Sequence, residues 1–237
     1  MRYGISRSLF LGVASVLLCV VGTGAGDANE PYHANINPAN FQNPVENPYC
    51  PFRPGTTWKF VEKHGDEVQE NTITVTHDTK LILGVKCTVV HDVVSEGGKV
   101  TEDTLDWMAT DKDGNVWYFG EDTRELKGKE LVKTNGSWEA GVDGGEAGIL
   151  LPGVAKPGEP YRQEYGPGHA EDMGKIVEIN QPVTVPAGEY KDCVKTEEWS
   201  LLEHGGHDFK WYAKGIGFCK EAAADGTIVE LISITHE

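Results

Sequence analysis

Positive charge is scarce in this sequence. Lysine and arginine number 21 against 37 acidic residues, a formal net charge of -16 over 237 residues. The acidic residues are spread along the chain, so the surface repels nucleic acid and anionic lipid, and neither is an expected partner. Helical periodicity is missing from every long segment, which sets aside the helix-based fold classes. The common catalytic signatures are missing too. There is no Gly-x-Ser-x-Gly elbow, no His-Glu-x-x-His helix, no P-loop and no dinucleotide fingerprint. The five cysteines match no zinc spacing. Beyond the N-terminus no apolar run is long enough to span a membrane.

What is present begins with a leader. Arg2 and Arg7 precede the apolar run "LFLGVASVLLCVVGTGAG" and a polar stretch. A basic start, a short apolar core and small residues describe a secretory signal peptide over residues 1–25, cleaved near Ala25. The mature chain is then exported to the periplasm or the extracellular space and keeps no membrane span. Leu18 before Cys19 argues against lipid attachment there. Cleavage leaves Cys50, Cys87, Cys193 and Cys219, an even number in an oxidising compartment, with three possible disulfide pairings.

Residues 26–53 are rich in Pro and Asn and predict an extended lead-in. After them come β-branched and aromatic runs such as "TWKFVEK", "NTITVTH" and "NVWYFGE". Gly97-Gly98, Asp113-Gly114 and Asp225-Gly226 separate strands as turn pairs, and "TRELKGKELVKT" predicts a hairpin around Lys127-Gly128. The expected fold is all-β: antiparallel curved sheets, or a barrel-like sandwich, of roughly a dozen strands. Three anchors recur in order at a displacement of about 103 to 106 residues. They are Pro-Gly before Trp58 or Tyr161, Cys87 or Cys193, and Trp107-x-Ala109 or Trp211-x-Ala213. They suggest two related repeats of about 104 residues, 54–138 and 157–237, joined by a Gly-rich linker at 139–156. If the repeats pack about a pseudo-twofold axis, Cys87 pairs with Cys193 and Cys50 with Cys219. The local alternative is Cys193 with Cys219.

Several residues carry candidate chemistry. Asp111, Asp113 and Asn115 alternate like calcium ligands, but Val116 and Asp122 stand where an EF-hand needs Gly and Glu, and a structural hairpin turn is the stronger reading. No cofactor is expected, with calcium at this turn as the exception to test. His204 and His207 flank a Gly-Gly turn and could contribute to a metal site. His169, Glu171 and Asp172 in "GHAEDM" could serve acid-base chemistry. Trp58, Trp107, Tyr118, Trp138, Trp211 and Tyr212 either form the core or line an aromatic concavity suited to an apolar or sugar ligand.

The stretches "NPYCPFRPGTTWKF", "DWMATDKDGNVWYFGED" with "GSWEAGVDG", and "VTVPAGEYKDCVKT…YAKGIGFCKE" resemble a family of bacterial exported β-rich proteins to which no activity is attached. The resemblance implies export and a compact β domain and carries over no functional residues. The final strands are loosely similar to curved-sheet envelope proteins that carry lipids. The expected role is binding or structural work outside the cytoplasm, on a small molecule or an envelope partner. The alternatives are a secreted carboxylate-dependent hydrolase and a calcium-binding envelope protein.

Overall fold

The computed structural model describes residues 32–202 and 206–237. The expected signal peptide and Cys19 lie outside these residues, as does His204. The first half supplies β1 (Thr56–His64), β2 (Glu67–Ile82), β3 (Val85–Glu96), β4 (Lys99–Thr110) and β5 (Val116–Lys127), then the short β6 (Glu130–Lys133) and β7 (Trp138–Glu139), and β8 (Glu146–Leu151). The second half supplies β9 (Tyr161–Arg162), β10 (Glu164–Tyr165), β11 (Asp172–Val185), β12 (Gly188–Ser200), β13 (Asp208–Ala213), β14 (Gly217–Ala222) and β15 (Ile228–His236). One short 3₁₀ turn, Pro38–Phe41, is the helical element among the described residues.

The turns form where the sequence places residues that tolerate positive φ. Gly97 and Gly98, at φ 56 and 79, join β3 to β4. Two successive positive φ values match the right-handed twist of the strands they connect. Lys127 pairs with Glu130 across the expected β5–β6 hairpin.

The strands run antiparallel in the order β10-β8-β5-β4-β3-β2-β1-β15-β14-β13-β12-β11-β9. β9 and β10 stand at opposite ends of this order yet are adjacent in sequence. Gln163 lies between them. Its backbone N–H donates to Asp172 O at 2.9 Å, and its side-chain amide donates to Leu150 O at 3.1 Å. Segment 161–165 thus bonds to β11 on one side and β8 on the other, bringing the sheet into a nearly closed barrel. Gly148 permits this approach, because a Cβ there would lie 2.2 Å from Gln163 O. A barrel removes the exposed edges that an open antiparallel sheet would present to other chains.

The two halves share their order of pairing. β1 to β5 form a meander followed by β8, and β9 with β11 to β14 form one followed by β15. The two joints correspond as well, since β1 pairs with β15 and β10 pairs with β8. A register irregularity falls between Asp106 and Met108 in β4, and another between Trp211 and Tyr212 in β13.

Two expectations are corrected. The Gly-rich segment 139–156 is more than a linker, because its Ile149-Leu150-Leu151 run forms β8, a stave of the barrel. The Cys87–Cys193 bridge is not formed, and all four described cysteines are free thiols. Cys87 donates to Val85 O, whereas Cys193 shares a hydrogen bond with Cys219, the local alternative. Cys87 in β3 and Cys193 in β12 lie on strands that are not neighbours in the sheet.

The lead-in packs on both halves, with Gly215 N donating to Pro48 O and Tyr32 meeting Tyr165 edge-on. Asn47 donates to Gly114 O and Pro152 O, and Phe41 meets Trp117 and Phe119 edge-on at 6.2 and 5.7 Å. These side-chain contacts, with the backbone bonds Val45 N to Asp111 O and Lys112 N to Asn40 O, hold the extended chain along the wall.

Candidate functional site

Alternation along the strands gives the barrel a buried face of two unlike parts. One part is apolar. Phe60, Ile73, Met108, Tyr118, Tyr212 and Leu231 are almost fully buried. Of the two readings of the aromatic residues, core or open concavity, the burial agrees with the core. Trp58, Trp107, Tyr118, Trp138 and Tyr212 are buried, and Trp211 is half-buried. Their polar ends are pinned. Trp58 Nε1 donates to Ile216 O at 2.8 Å, Trp138 Nε1 to Glu164 Oε2 at 3.0 Å, and Tyr118 OH to Asp106 Oδ1 at 2.6 Å. Trp107 is capped from outside by Lys80, whose Nζ sits 3.2 Å from the ring centroid. A shallow apolar recess of about 260 Å³, open mouth included, lies among Cys50, Pro51, Phe52, Trp58, Phe60 and Phe218.

The other part is a layer of acids. Glu62, Asp92, Glu102, Asp106, Glu121, Glu164, Asp172, Glu198 and Glu221 are all buried, and Lys210 is the one buried lysine or arginine among the described residues. Strand register explains how they meet. Asp106 in β4 pairs with Glu121 in β5 and Val90 in β3, while Lys210 in β13 pairs with Glu221 in β14 and Thr196 in β12.

Around Lys210 the charges balance. Its Nζ lies 2.9 Å from Glu198 Oε2. Burial opposes the ammonium charge, but Glu198 and Glu221 outweigh it and hold the group well above the ordinary lysine range. Burial raises the Asp172 carboxyl to about 6, against the pull of Ser200 and Lys210. Glu164 and Asp172 are neighbouring buried carboxyls; burial, with the charges of Asp172 and Glu121, pushes Glu164 well up.

Around Asp106 the partners are neutral. Asn71 Nδ2 donates to Asp92 Oδ1 at 2.6 Å, Thr123 Oγ1 to Glu121 Oε2 at 2.7 Å, and Thr104 Oγ1 to Thr123 Oγ1 at 3.2 Å. Burial, then the charges of Glu121 and Asp92, drive the Asp106 carboxyl well above its ordinary value. Burial carries Glu121 to about 7 despite hydrogen bonds from Thr123 and Tyr118. Asp106 Oδ2 and Asn71 Oδ1 are fully buried and have no hydrogen-bond partner among the described residues. A buried polar atom without a partner costs about 1–3 kcal/mol.

The remaining candidate residues lie apart from this layer. Asp111 caps its own turn. Oδ1 accepts from the N–H groups of Asp113 and Asn115, and Oδ2 accepts from Asn115 Nδ2 and Trp117 Nε1, all at 2.8–2.9 Å. Both oxygens are thereby engaged by N–H donors, and Asn115 Oδ1 accepts from Gly153 N. We expect Asp111→Ala to cost about 2–3 kcal/mol in urea unfolding, because buried donors lose a charged acceptor. Calorimetry should find no calcium site tighter than roughly millimolar. A micromolar site abolished by Asp113→Ala would contradict the reading of this turn as a cap.

His207 stacks on Trp199 at 5.1 Å, and its Nδ1 meets Glu197 Oε1 at 2.7 Å. Among the described residues no three His, Cys, Asp or Glu side chains are disposed around a common metal position. Of "GHAEDM", Asp172 joins the buried layer, while Glu171 caps Gly168 N and neighbours Arg162.

No family model matches the chain, and no curated protein matches it in sequence. Among solved structures it is similar to a "putative lipoprotein" from Parabacteroides distasonis. The two are 11% identical, with a TM-score of 0.44, over 81% of this chain and 100% of the other.

Proposed function

We propose that this chain is an exported binding protein that holds a ligand at the acidic part of its barrel. The basic-apolar-small leader supports export. The observation that carries binding is the composition of the buried face. A barrel built for structure alone gains nothing from several desolvated carboxyl groups set against one lysine. Each such group opposes folding unless something neutralises it. Buried acids with displaced pKa values concentrate at functional sites for this reason. Native mass spectrometry of protein purified from its source tests the reading. The expected result is a mass above that of the processed chain, lost on acidification, when the carboxyls protonate. A bare processed mass at neutral pH, unchanged by acid, would overturn it.

A second reading is supported by the Glu164–Asp172 pair, two neighbouring buried carboxyls both pushed up by burial. Such a pair can supply a general acid and a general base. A secreted hydrolase of this kind would lose turnover of a glycoside or ester substrate in Glu164→Gln, with folding retained.

A further inference from the structure

Strand register brings two of the four described cysteines together on the outer side of the barrel wall. Along β12, Val194, Thr196 and Glu198 are buried on the inner face. Cys193 therefore has the parity of Lys195 and Glu197 on the outer face, yet it is fully buried. Val194 pairs with Tyr212, which sets Cys193 opposite Ala213, the last residue of β13. Ala213 offers only a methyl group on that face. Across β13–β14, Tyr212 pairs with Phe218 and Trp211 with Lys220, so Cys219 is the extra residue of a bulge. A bulge re-aims the side chain that it carries. The Cys219 thiol leans over β13 and donates to Trp211 O at 3.3 Å. Cys193 and Cys219 share a hydrogen bond, and half-buried Tyr190 on β12 neighbours both sulfurs. The other two thiols lie elsewhere. Cys50 lines the apolar recess, and Cys87 donates to Val85 O on β3.

We infer that Cys193 and Cys219 are a redox-active thiol pair, which closes to a reversible disulfide by exchange with a low-molecular-weight disulfide such as oxidised glutathione. The Cys193 thiolate attacks one sulfur of the oxidant, a mixed disulfide forms, and one thiol leaves. The Cys219 thiolate then attacks Cys193 Sγ, which closes the S–S bond and releases the second thiol. Two electrons and two protons pass from the pair to the oxidant, which ends as two thiols. The shared hydrogen bond decides which sulfur attacks first. It holds the Cys193 thiol below its ordinary range, against the opposing effect of burial, and it raises Cys219 further than burial alone does. The thiolate is the nucleophile, so the thiol with the lowered value leads. Topology makes the bond reversible. β13 lies between β12 and β14 in the sheet. A bridge across a whole strand draws backbone together, and a strained bridge is reduced more readily than a structural one.

Thiol mapping of the folded protein reads the pair. Fully reduced protein is incubated with oxidised glutathione, then unfolded in urea with excess N-ethylmaleimide, digested and weighed without reduction. The expected result is one linked peptide pair, Cys193 with Cys219, lighter by two hydrogens, with Cys50 and Cys87 alkylated. Reduced glutathione, added without denaturant, is expected to restore both thiols. Cys219→Ser is expected to hold glutathione on Cys193 as a lasting mixed disulfide, because the sulfur that would displace it is gone. Cys193→Ser is expected to leave Cys219 unmodified. Urea unfolding shows whether each variant folds, and if either does not, the wild-type map decides. All four cysteines alkylated after the oxidant would overturn the inference, as would a bridge to Cys50 or Cys87. So would a bridge that reduced glutathione opens only in denaturant. A Cys219→Ser variant that folds and takes up no glutathione, or a Cys193→Ser variant that takes it up on Cys219, would overturn it too.

Discussion

Replacing Lys210 with methionine is expected to destabilise the protein by about 3–5 kcal/mol, the usual cost of stripping one partner from a buried ion pair. The side chain is almost wholly buried, and its Nζ lies 2.9 Å from Glu198 Oε2. Methionine keeps the volume but leaves Glu198 and Glu221 without the charge that balances them. Urea unfolding measures the loss as a lower midpoint at unchanged slope. The double variant with Glu198→Gln should recover part of it, because one uncompensated charge leaves with the lysine. A single-variant loss below about 1 kcal/mol is what an exposed pair shows, and it would mean that the layer is hydrated rather than sealed.

Stability is expected to fall as pH rises from about 5 to 8, opposite to the trend of proteins held by exposed ion pairs. Below the ordinary glutamate value of 4.5, Glu121 carries its proton in both folded and unfolded chains. Between 4.5 and about 7 the folded carboxyl keeps the proton that the unfolded one has lost, so each rise in pH favours unfolding. Asp172 contributes in the same sense between 3.8 and about 6. Glu121 alone corresponds to a decline on the order of 3 kcal/mol. Asp111 and Asp122 act in the other direction. Burial opposes their charge, but hydrogen bonds to Asn115 and Trp117, and to Lys133 and Arg124, hold both below the ordinary range. Their stabilisation is present above that range and is lost as pH falls through the lowered values. The optimum is therefore mildly acidic. Chemical unfolding at pH 5.5 and 8 in sodium-based buffer checks this, and Glu121→Gln should flatten the decline. A stability that climbs toward pH 8 would show that Glu121 is ionised in the folded chain at no cost.

The strand pattern and turns were legible in the sequence because they are local. Gly97-Gly98 and Lys127-Gly128 mark their hairpins by backbone preference alone. The Gly-rich segment concealed β8, because its glycines serve close strand approach at Gln163 rather than flexibility. The acid layer was not legible for a different reason. In "TEDTLDWMA" alternation separates Glu102, Thr104, Asp106 and Met108 from Leu105 and Trp107. Hydrophobicity favours the Leu-Trp side as the buried one. The barrel turns the other set inward, leaving Leu105 36% exposed and Asp106 at 0%, while Trp107, at the register irregularity between Asp106 and Met108, is buried as well. Alternation gives the parity of a strand but not which face is enclosed, since enclosure depends on the strands that complete the barrel. The displacement linking Trp107 to Trp211 also aligns Asp106 with Lys210. That single charge reversal was the available signal.

The most direct test of the account is native mass spectrometry of protein purified from its source, because its central claim is that the buried acid layer holds a ligand. The account predicts a mass above that of the processed chain, returning to the bare mass when Asp106 and Glu121 are replaced together by Asn and Gln. A bare processed mass for the wild-type protein would contradict it.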